Sequence, residues 1–205
     1  MKRQNTFLLH TQFARLLLVT ILVLFFASSI QKLYAQNEAI KDISLVDAVT
    51  KDEVAFSDFN RKKAIALIFF CNNCPYSTFY VDRIKNYTYN YQDVQFLLIN
   101  SSNSDYVPEE SETAMVSFLK KYGLKVPYLM DKDQKVMKVL GAKRCPESFL
   151  ITPGNWQTVY HGAIDNNPQV AADVSEHYLT EALEEILRGG QVSKPFQRPS
   201  GCIIK

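Results

Sequence analysis

Runs of apolar residues bounded by polar or turn-forming positions predict a series of strands. Residues 64–70 and 94–100 are almost continuously apolar, of strand length, and rich in Ile, Leu and Phe. Such runs indicate strands that are buried on both faces of a sheet. Shorter strands are predicted at residues 126–130, 148–152 and 158–162, of which the last two are joined as a hairpin.

Helical periodicity occupies the segments between and after these strands. The predicted helices comprise residues 76–91, 112–122, 135–140 and 170–188. Residues 36–63 form a polar segment with one short strand. Strands that alternate with helices, and a hairpin late in the chain, predict an α/β protein: a three-layer α/β/α sandwich with a central mixed sheet.

The first 35 residues have the character of an export signal. Lys2 and Arg3 open the chain, residues 16–27 form an almost unbroken apolar run, and the segment ends at Ala35. This order of basic, apolar and small residues is typical of a secretory signal peptide. We expect cleavage after Ala35 and export to the periplasm or the exterior. The alternative is an uncleaved membrane anchor, for which the apolar run is short.

Length and charge limit the number of domains and the kinds of partner that the protein can have. With 205 residues, 47% of them hydrophobic, the chain can form one full core but has little room for a second. We expect one domain at residues 36–190 and an irregular tail at residues 191–205. Four of the 23 basic residues and none of the 21 acidic residues lie in the leader, so its removal changes the net charge from +2 to −2. This charge gives no indication of nucleic-acid binding, and membrane contact is expected only through an uncleaved leader.

Four cysteines follow the leader, and two of them are close together. Cys71 and Cys74 are separated by two asparagines, whereas Cys145 and Cys202 stand alone. Four cysteines are too few for a disulfide-stapled scaffold in a chain of this length. The close pair therefore indicates a chemical role.

The two cysteines of the pair lie where a buried strand is followed by a helix. Free backbone amides and the positive end of the helix dipole stabilise a thiolate at such a position. Cys71 is therefore the predicted nucleophile. Cys74, one turn further on, can attack a mixed disulfide formed on Cys71 and release the partner's thiol. The sulfurs themselves carry the electrons, so we expect no cofactor and no resident metal.

A Cys-x-x-Cys pair also occurs in zinc sites and in inert structural disulfides. Tetrahedral zinc usually requires a second close pair of cysteines or histidines. Here Cys145 and Cys202 lie far apart and the three histidines are scattered. Redox chemistry is thus favoured over both alternatives.

Several ordered segments carry a family resemblance. They are FCNNCPY (residues 70–76), LINS (98–101), PYL (127–129) with Asp131, GA (141–142), PESFL (146–150), YHGAID (160–165) and the ending GCIIK (201–205). Together they resemble the thioredoxin-like redoxins of the alkyl hydroperoxide reductase/thiol-specific antioxidant superfamily. The resemblance is to the peroxiredoxin-like branch that carries a Cys-x-x-Cys-Pro motif.

The resemblance implies a thioredoxin fold with the strand–helix insertion typical of redoxins. It implies that Cys71 is the nucleophile, Cys74 the resolving thiol and Pro146 a cis proline. An extended substrate would pair with the backbone of Cys145, which precedes this proline. Tyr76 belongs to an aromatic cluster that is most simply explained by core packing, and its alternative role is to line an apolar rim where the substrate docks.

Two departures from related patterns affect the expected chemistry. Ile65 stands where thioredoxins carry a buried acid, so the proton acceptor for Cys74 is unassigned, with Glu147 as a candidate. The Pro-x-x-x-Thr/Ser-x-x-Cys signature of peroxidatic sites is missing around Cys71. Dithiol exchange is therefore favoured over direct peroxide reduction.

The two isolated cysteines each have more than one interpretation. Cys145 stands where the resemblance places Thr or Val. Beside the cis proline it would lie close to the Cys71 sulfur, where it can trap a disulfide, tune reactivity or simply be a small residue in a tight site. Cys202 is either a structural or unpaired cysteine or a resolving thiol on a mobile tail.

The sequence predicts an exported thiol–disulfide oxidoreductase. It would exchange a Cys71/Cys74 dithiol or disulfide with substrate proteins or small thiols, and a reducing or oxidising partner of open identity would restore it. One alternative is a peroxiredoxin-like antioxidant in which Cys71 becomes a sulfenic acid that Cys74 resolves. Another is a binding protein that uses Cys71, Cys74 and Cys145 as thiolate ligands for copper(I) or zinc.

Overall fold

The computed structural model describes residue 18 and residues 20–25, 40–103 and 105–205. Residues 20–25 are helical and belong to one compact unit, and the residues from 40 onward belong to another. Most of the predicted leader, including Ala35 at its expected cleavage point, lies outside the described residues. In the described ranges, no helix has the length and apolar character that crossing a membrane requires.

A mixed eight-stranded sheet forms the centre of the second unit. The described residues contain ten strands: β1 (Ser44–Asp47), β2 (Glu53–Ala55), β3 (Ala64–Phe69), β4 (Val94–Asn100), β5 (Tyr128–Met130), β6 (Arg144–Cys145), β7 (Glu147–Thr152), β8 (Gln157–Gly162), β9 (Phe196–Gln197) and β10 (Cys202–Ile203). The order in the large sheet is β2-β1-β5-β4-β3-β7-β8-β9, and β6 pairs with β10 in a separate two-stranded sheet. Strands β3, β4 and β5 are parallel, while β7 runs antiparallel to β3 and to β8.

Helices lie between and after the strands. They are α1 (Pro75–Phe79), α2 (Val81–Asn90), α3 (Glu112–Tyr122), α4 (Lys135–Leu140) and α5 (Tyr178–Leu187), with 3-10 turns at Phe56–Phe59, Pro108–Glu110 and Ala171–Asp173. The predicted helices at residues 112–122 and 135–140 are confirmed at both ends. The helix predicted at residues 76–91 is divided into α1 and α2 at Tyr80.

The central strand β3 is buried on both faces, as its unbroken apolar sequence predicts. Its even-numbered positions, such as Ile68, pack with apolar residues of α2, α3 and α5. Its odd-numbered positions, such as Leu67, pack with α4, the first 3-10 turn and the residues around Cys71. Full burial of each such side chain contributes about 1.5–3 kcal/mol. The two cores on opposite faces confirm the predicted α/β/α arrangement.

The segment before α5 differs from the prediction. A single helix was expected over residues 170–188, but α5 begins only at Tyr178. The side-chain oxygen of Asn166 accepts hydrogen bonds from the amides of Ser175 and Glu176, and Leu179 N donates to Ile164 O. These amides bond to the loop after β8 instead of to carbonyls four residues back, so a continuous helix cannot form.

The tail was predicted to be irregular, and it contributes two strands. Strand β9 pairs in parallel with β8, and β10 pairs antiparallel with β6. The first pairing requires Gly162, whose φ is +130° and where a Cβ atom would lie 1.7 Å from Gln197 O. The tail is therefore paired with the domain in two places, once with the large sheet through β9 and once with β6 beside the cysteines.

Candidate active site

All four cysteines, each within the described residues, meet at the end of β3. Cys71 lies just beyond this strand, and Cys74 is the N-cap residue of α1, with extended backbone angles and Pro75 as the first helical residue. The predicted strand–helix junction around the Cys-x-x-Cys pair is therefore present. The sulfurs form two disulfides, Cys71–Cys145 and Cys74–Cys202, with Cα–Cα distances of 5.8 and 6.0 Å.

This pairing differs from the Cys71–Cys74 disulfide that the sequence suggests. Strands β3 and β7 are antiparallel, with Phe69 opposite Glu147. Two residues after Phe69 is Cys71, and two residues before Glu147 is Cys145. The antiparallel register therefore places Cys71 opposite Cys145. In the small sheet Cys202 pairs with Cys145. Strand register thus brings both isolated cysteines to the close pair, and neither is unpaired in this state.

The peptide bond between Cys145 and Pro146 is cis, as the family resemblance implies. The carbonyl oxygen of Cys145 lies 3.2 Å from the Cys74 sulfur. The backbone edge of Cys145, where an extended substrate was expected to pair, is occupied by β10 of the same chain.

Burial differs among the four sulfur-bearing residues. Cys71 is 5% exposed, Cys74 is 2% exposed and Cys145 is fully buried. Cys202 is only partly buried. Of the four cysteines, Cys202 therefore has the largest exposed fraction.

Two buried serines contact Cys71. The amide of Cys71 donates to Ser77 Oγ at 3.3 Å, and Ser102 Oγ lies 3.4 Å from the Cys71 sulfur. In the disulfide state the sulfur carries no proton, so the Ser102 hydroxyl is the donor. In a reduced protein the same hydroxyl can donate to a Cys71 thiolate, which stabilises that form.

Glu110, which the sequence analysis did not single out, holds the turn between Cys71 and Cys74. Its side chain is 5% exposed. One carboxylate oxygen accepts from Asn72 N at 2.8 Å and Asn100 Nδ2 at 2.9 Å, and the other accepts from Asn73 N at 2.8 Å. An acidic residue just before a helix such as α3 is ordinary in a sequence, so nothing local marks it.

The contacts of Glu110 bear on the predicted chemistry. Free amides at the start of the helix were expected to stabilise a thiolate on Cys71, but the amides of Asn72 and Asn73, just before that helix, are not free. Instead they donate to a carboxylate, which brings a negative charge to the turn. A nearby negative charge disfavours a thiolate. Glu110 therefore orders the turn between Cys71 and Cys74.

Tyr128 also holds the turn between Cys71 and Cys74, through its hydroxyl group. Its hydroxyl lies 3.0 Å from Phe70 O and 3.1 Å from Asn72 Oδ1, and it can donate to either oxygen. Burial, and after it the charge of Glu110, raises the pKa of the Tyr128 phenol well above its usual value. The hydroxyl thus keeps its proton and remains a donor to the turn.

Asp131, part of the family resemblance, fastens the neighbouring loop. It is fully buried and accepts from Ser101 Oγ at 2.6 Å and from the amides of Val136 and Met137 at the start of α4. The loop that follows β4 carries Ser102, so this network helps to place Ser102 against the Cys71 sulfur.

Two further candidate residues have identifiable positions. Tyr76 is partly buried, packs against the cluster that contains Cys71, and makes an edge-to-face contact with Phe79, which is 42% exposed. Glu147, the candidate proton acceptor for Cys74, accepts instead from the amides of Lys143 and Arg144. It therefore shapes the segment leading to Cys145.

The three cysteines considered as metal ligands are all disulfide-bonded here. A disulfide sulfur is not a thiolate, so Cys71, Cys74 and Cys145 have no free thiolate to offer a metal in this state. Among the residues that the structure describes, no group of three or more His, Cys, Asp or Glu side chains is arranged to hold a metal ion.

Comparisons with known proteins agree with the geometry. The Redoxin family profile matches residues 35–174. A hypothetical protein from Sinorhizobium meliloti 1021 is 30% identical, with a TM-score of 0.74 over 81% of this chain and 91% of that one. An uncharacterized conserved protein from Geobacillus kaustophilus is 27% identical, with a TM-score of 0.72 over 81% and 89%.

More distant structures share the fold. A thioredoxin-like protein from Aeropyrum pernix is 14% identical, with a TM-score of 0.55 over 80% of this chain and 97% of that one. The likeness confirms the predicted thioredoxin fold. A comparison with curated protein sequences found no significant match.

Proposed function

Because the chain belongs to the Redoxin family, we propose that it is a thiol–disulfide oxidoreductase that uses Cys71 and Cys74 in exchange with other thiols. The observation that carries the proposal is the meeting of four cysteines, in two disulfides, at a strand–helix junction beside a cis proline. A purely structural disulfide needs neither a second disulfide in contact with it nor this position in the fold.

In the proposed reaction Cys71 of the reduced protein attacks a disulfide of the substrate. The substrate's leaving sulfur departs as a thiolate, and a mixed disulfide forms on Cys71. Cys74 then attacks the Cys71 sulfur and releases the second substrate thiol, which leaves a Cys71–Cys74 disulfide. Substrate proteins or small thiols are the proposed partners, and a dithiol or disulfide partner restores the starting state.

The substrate would dock along the edge of β6 and against the rim formed by Tyr76. Support comes from the backbone of Cys145, which pairs with an extended segment in this structure. Tyr76, which packs against the cluster that contains Cys145, and the exposed Phe79 in contact with it provide apolar surface on α1. Both features suit an extended polypeptide.

The reduction potential of the cysteines tests the proposal. The protein is equilibrated in glutathione buffers of graded potential, and its free thiols are counted by alkylation and mass. Because the oxidised protein holds two disulfides, we expect two two-electron steps. One of them is a reversible couple of Cys71 and Cys74, which the Cys145→Ser variant retains. A couple at about −120 to −180 mV indicates an oxidase or isomerase, and one at about −270 mV indicates a reductase. If no reversible couple is found, thiol exchange is not the function.

The same preparation discriminates the alternatives. Consumption of hydrogen peroxide with a Cys71 sulfenic acid trapped on the enzyme would support the peroxiredoxin-like activity instead. Tight binding of copper(I) or zinc by the reduced protein, with thiols that resist alkylation, would support the metal-binding function.

We further propose that the protein is exported and that the leader is removed after Ala35. The two disulfides support this location because such bonds persist in oxidising compartments. We expect the protein in a periplasmic or extracellular fraction to begin at Gln36, as measured by intact mass. A full-length protein found only in the membrane fraction would indicate the uncleaved anchor.

A further inference from the structure

The tail lies where an extended substrate would lie. Cys202 and Ile203 pair antiparallel with Cys145 and Arg144, and Ile204 N donates to Lys143 O at 3.1 Å. The guanidinium of Arg144 donates to Gly201 O at 2.8 Å. The chain thus covers the β6 edge with its own cysteine-bearing strand, and the Cys74–Cys202 disulfide fixes that strand covalently.

Gly201 is necessary for this close fit. A Cβ atom at this position would lie 2.2 Å from the Cys145 carbonyl oxygen. Any larger residue before Cys202 would push the strand away from β6. The tail is therefore shaped to bring the Cys202 sulfur to Cys74 and not merely attached by it.

From these contacts we propose that Cys202 is a catalytic residue, the sulfur at which an external dithiol attacks the oxidised protein. The proposal rests on the oxidoreductase function and deepens it. Cys71, Cys74 and Cys145 are at most 5% exposed, whereas Cys202 is partly exposed. Thiol–disulfide exchange requires access to the attacked sulfur, and among the four cysteines Cys202 is the residue with the most exposed surface.

The proposed sequence of exchanges balances without a further oxidant. A donor thiolate bonds to the Cys202 sulfur, the Cys74–Cys202 bond breaks, and Cys74 leaves with the electron pair as a thiolate. The second donor thiol attacks the donor sulfur of this mixed disulfide, so the donor leaves oxidised and Cys202 is left as a thiol. Cys74 then attacks Cys71, and the Cys71–Cys145 bond breaks with the electron pair on Cys145.

The product holds one disulfide, Cys71–Cys74, and two thiols, on Cys145 and Cys202. This is the pairing that the Cys-x-x-Cys motif suggests, reached by a two-electron reduction of the state described here. The end of the tail is then held only by non-covalent contacts, namely its hydrogen bonds and the packing of Ile204 against the cluster that contains Cys71. It can leave β6, so the edge becomes free for a client segment that is itself extended and carries a small residue before its cysteine.

Disulfide mapping after limited reduction tests the sequence of exchanges. The oxidised wild-type protein is treated with one equivalent of dithiothreitol, quenched with acid, alkylated and digested for mass spectrometry. We expect alkylated Cys145 and Cys202 and a Cys71–Cys74 linkage. Retention of Cys74–Cys202 would overturn Cys202 as the point of attack, and retention of Cys71–Cys145 with Cys74 alkylated would overturn the internal exchange.

Two variants separate the steps. Cys202→Ser, purified without reductant, should already contain Cys71–Cys74 and a Cys145 that alkylates, because Cys74 then starts as a free thiol. Gly201→Val should loosen the tail and raise the rate of the first reduction several-fold, whereas Ser200→Val, one residue away, should not. Equal rates for the two variants would contradict the role of the close fit.

These measurements are independent of substrate turnover. If mapping gives the expected linkage but the protein exchanges with no external disulfide, the oxidoreductase function fails and the internal exchange stands. If the protein exchanges with an external disulfide but the mapped linkage differs, the oxidoreductase function stands and the proposed internal exchange fails.

Discussion

Replacement of Cys71 with serine is expected to reduce thiol–disulfide exchange to the uncatalysed rate, a loss of about 100-fold or more. A serine hydroxyl is not ionised at neutral pH and forms no disulfide, so no mixed disulfide with a substrate can arise at this position. The measurement is the initial rate of reduction of a fluorescent disulfide-linked peptide by dithiothreitol in the presence of each variant.

Cys145→Ser is the matched control for this substitution. It removes the present disulfide partner of Cys71 and has the same change in size and polarity, but it leaves Cys71 and Cys74 in place. We expect it to keep an exchange rate within a few-fold of the wild type. An equal loss in both variants would identify Cys71–Cys145 as the working pair and contradict the assigned role of Cys74.

Replacement of Glu110 with glutamine is expected to destabilise the protein and make Cys71 more reactive. The carboxylate accepts from Asn72 N, Asn73 N and Asn100 Nδ2. The glutamine amide has only one oxygen. Its NH₂ group cannot accept a hydrogen bond, so at least one of these three donors loses its acceptor. We expect the free energy of unfolding to fall by about 2–5 kcal/mol, since each buried donor left without an acceptor costs about 1–3 kcal/mol. Chemical denaturation measures this change.

The second effect of this substitution distinguishes a positioning residue from a purely structural one. Removal of the negative charge beside the turn favours the Cys71 thiolate, so the fully reduced variant should react with iodoacetamide several-fold faster at pH 7. Glu109→Gln is the control, because the exposed Glu109 contributes only its backbone carbonyl, to Asn72 Nδ2. Slower alkylation of Glu110→Gln than of the control would contradict the electrostatic role.

Local sequence patterns determined much of the fold. The apolar run of β3 predicted a strand buried on both faces, and the structure places its alternate positions in two cores. The strand at residues 94–100 and the helix at residues 112–122 are present as predicted. Hydrophobic periodicity reports the faces that an element buries, so it is informative wherever local preference and packing agree.

The position of the Cys-x-x-Cys pair was also predictable. A buried strand followed by Cys71, Cys74 and Pro75 carries its own local signals for a strand end and a helix start. The family resemblance added Pro146 and the thioredoxin fold. The helix predicted at residues 170–188, in contrast, was too long, because the hydrogen bonds that the amides of Ser175 and Glu176 donate to Asn166 do not show in a helical pattern.

Residue patterns alone were enough to predict the buried strands, the position of the close pair of cysteines and the family that the chain resembles. How the sulfurs pair, and which carboxylate holds the turn between Cys71 and Cys74, became known only from the three-dimensional arrangement. Cys71 meets Cys145 through the register of β3 with β7, Cys202 arrives on a strand that joins β6, and Glu110 arrives on a separate loop. The physical reason is that contacts between distant segments depend on register and loop path, for which residue periodicity carries no signal.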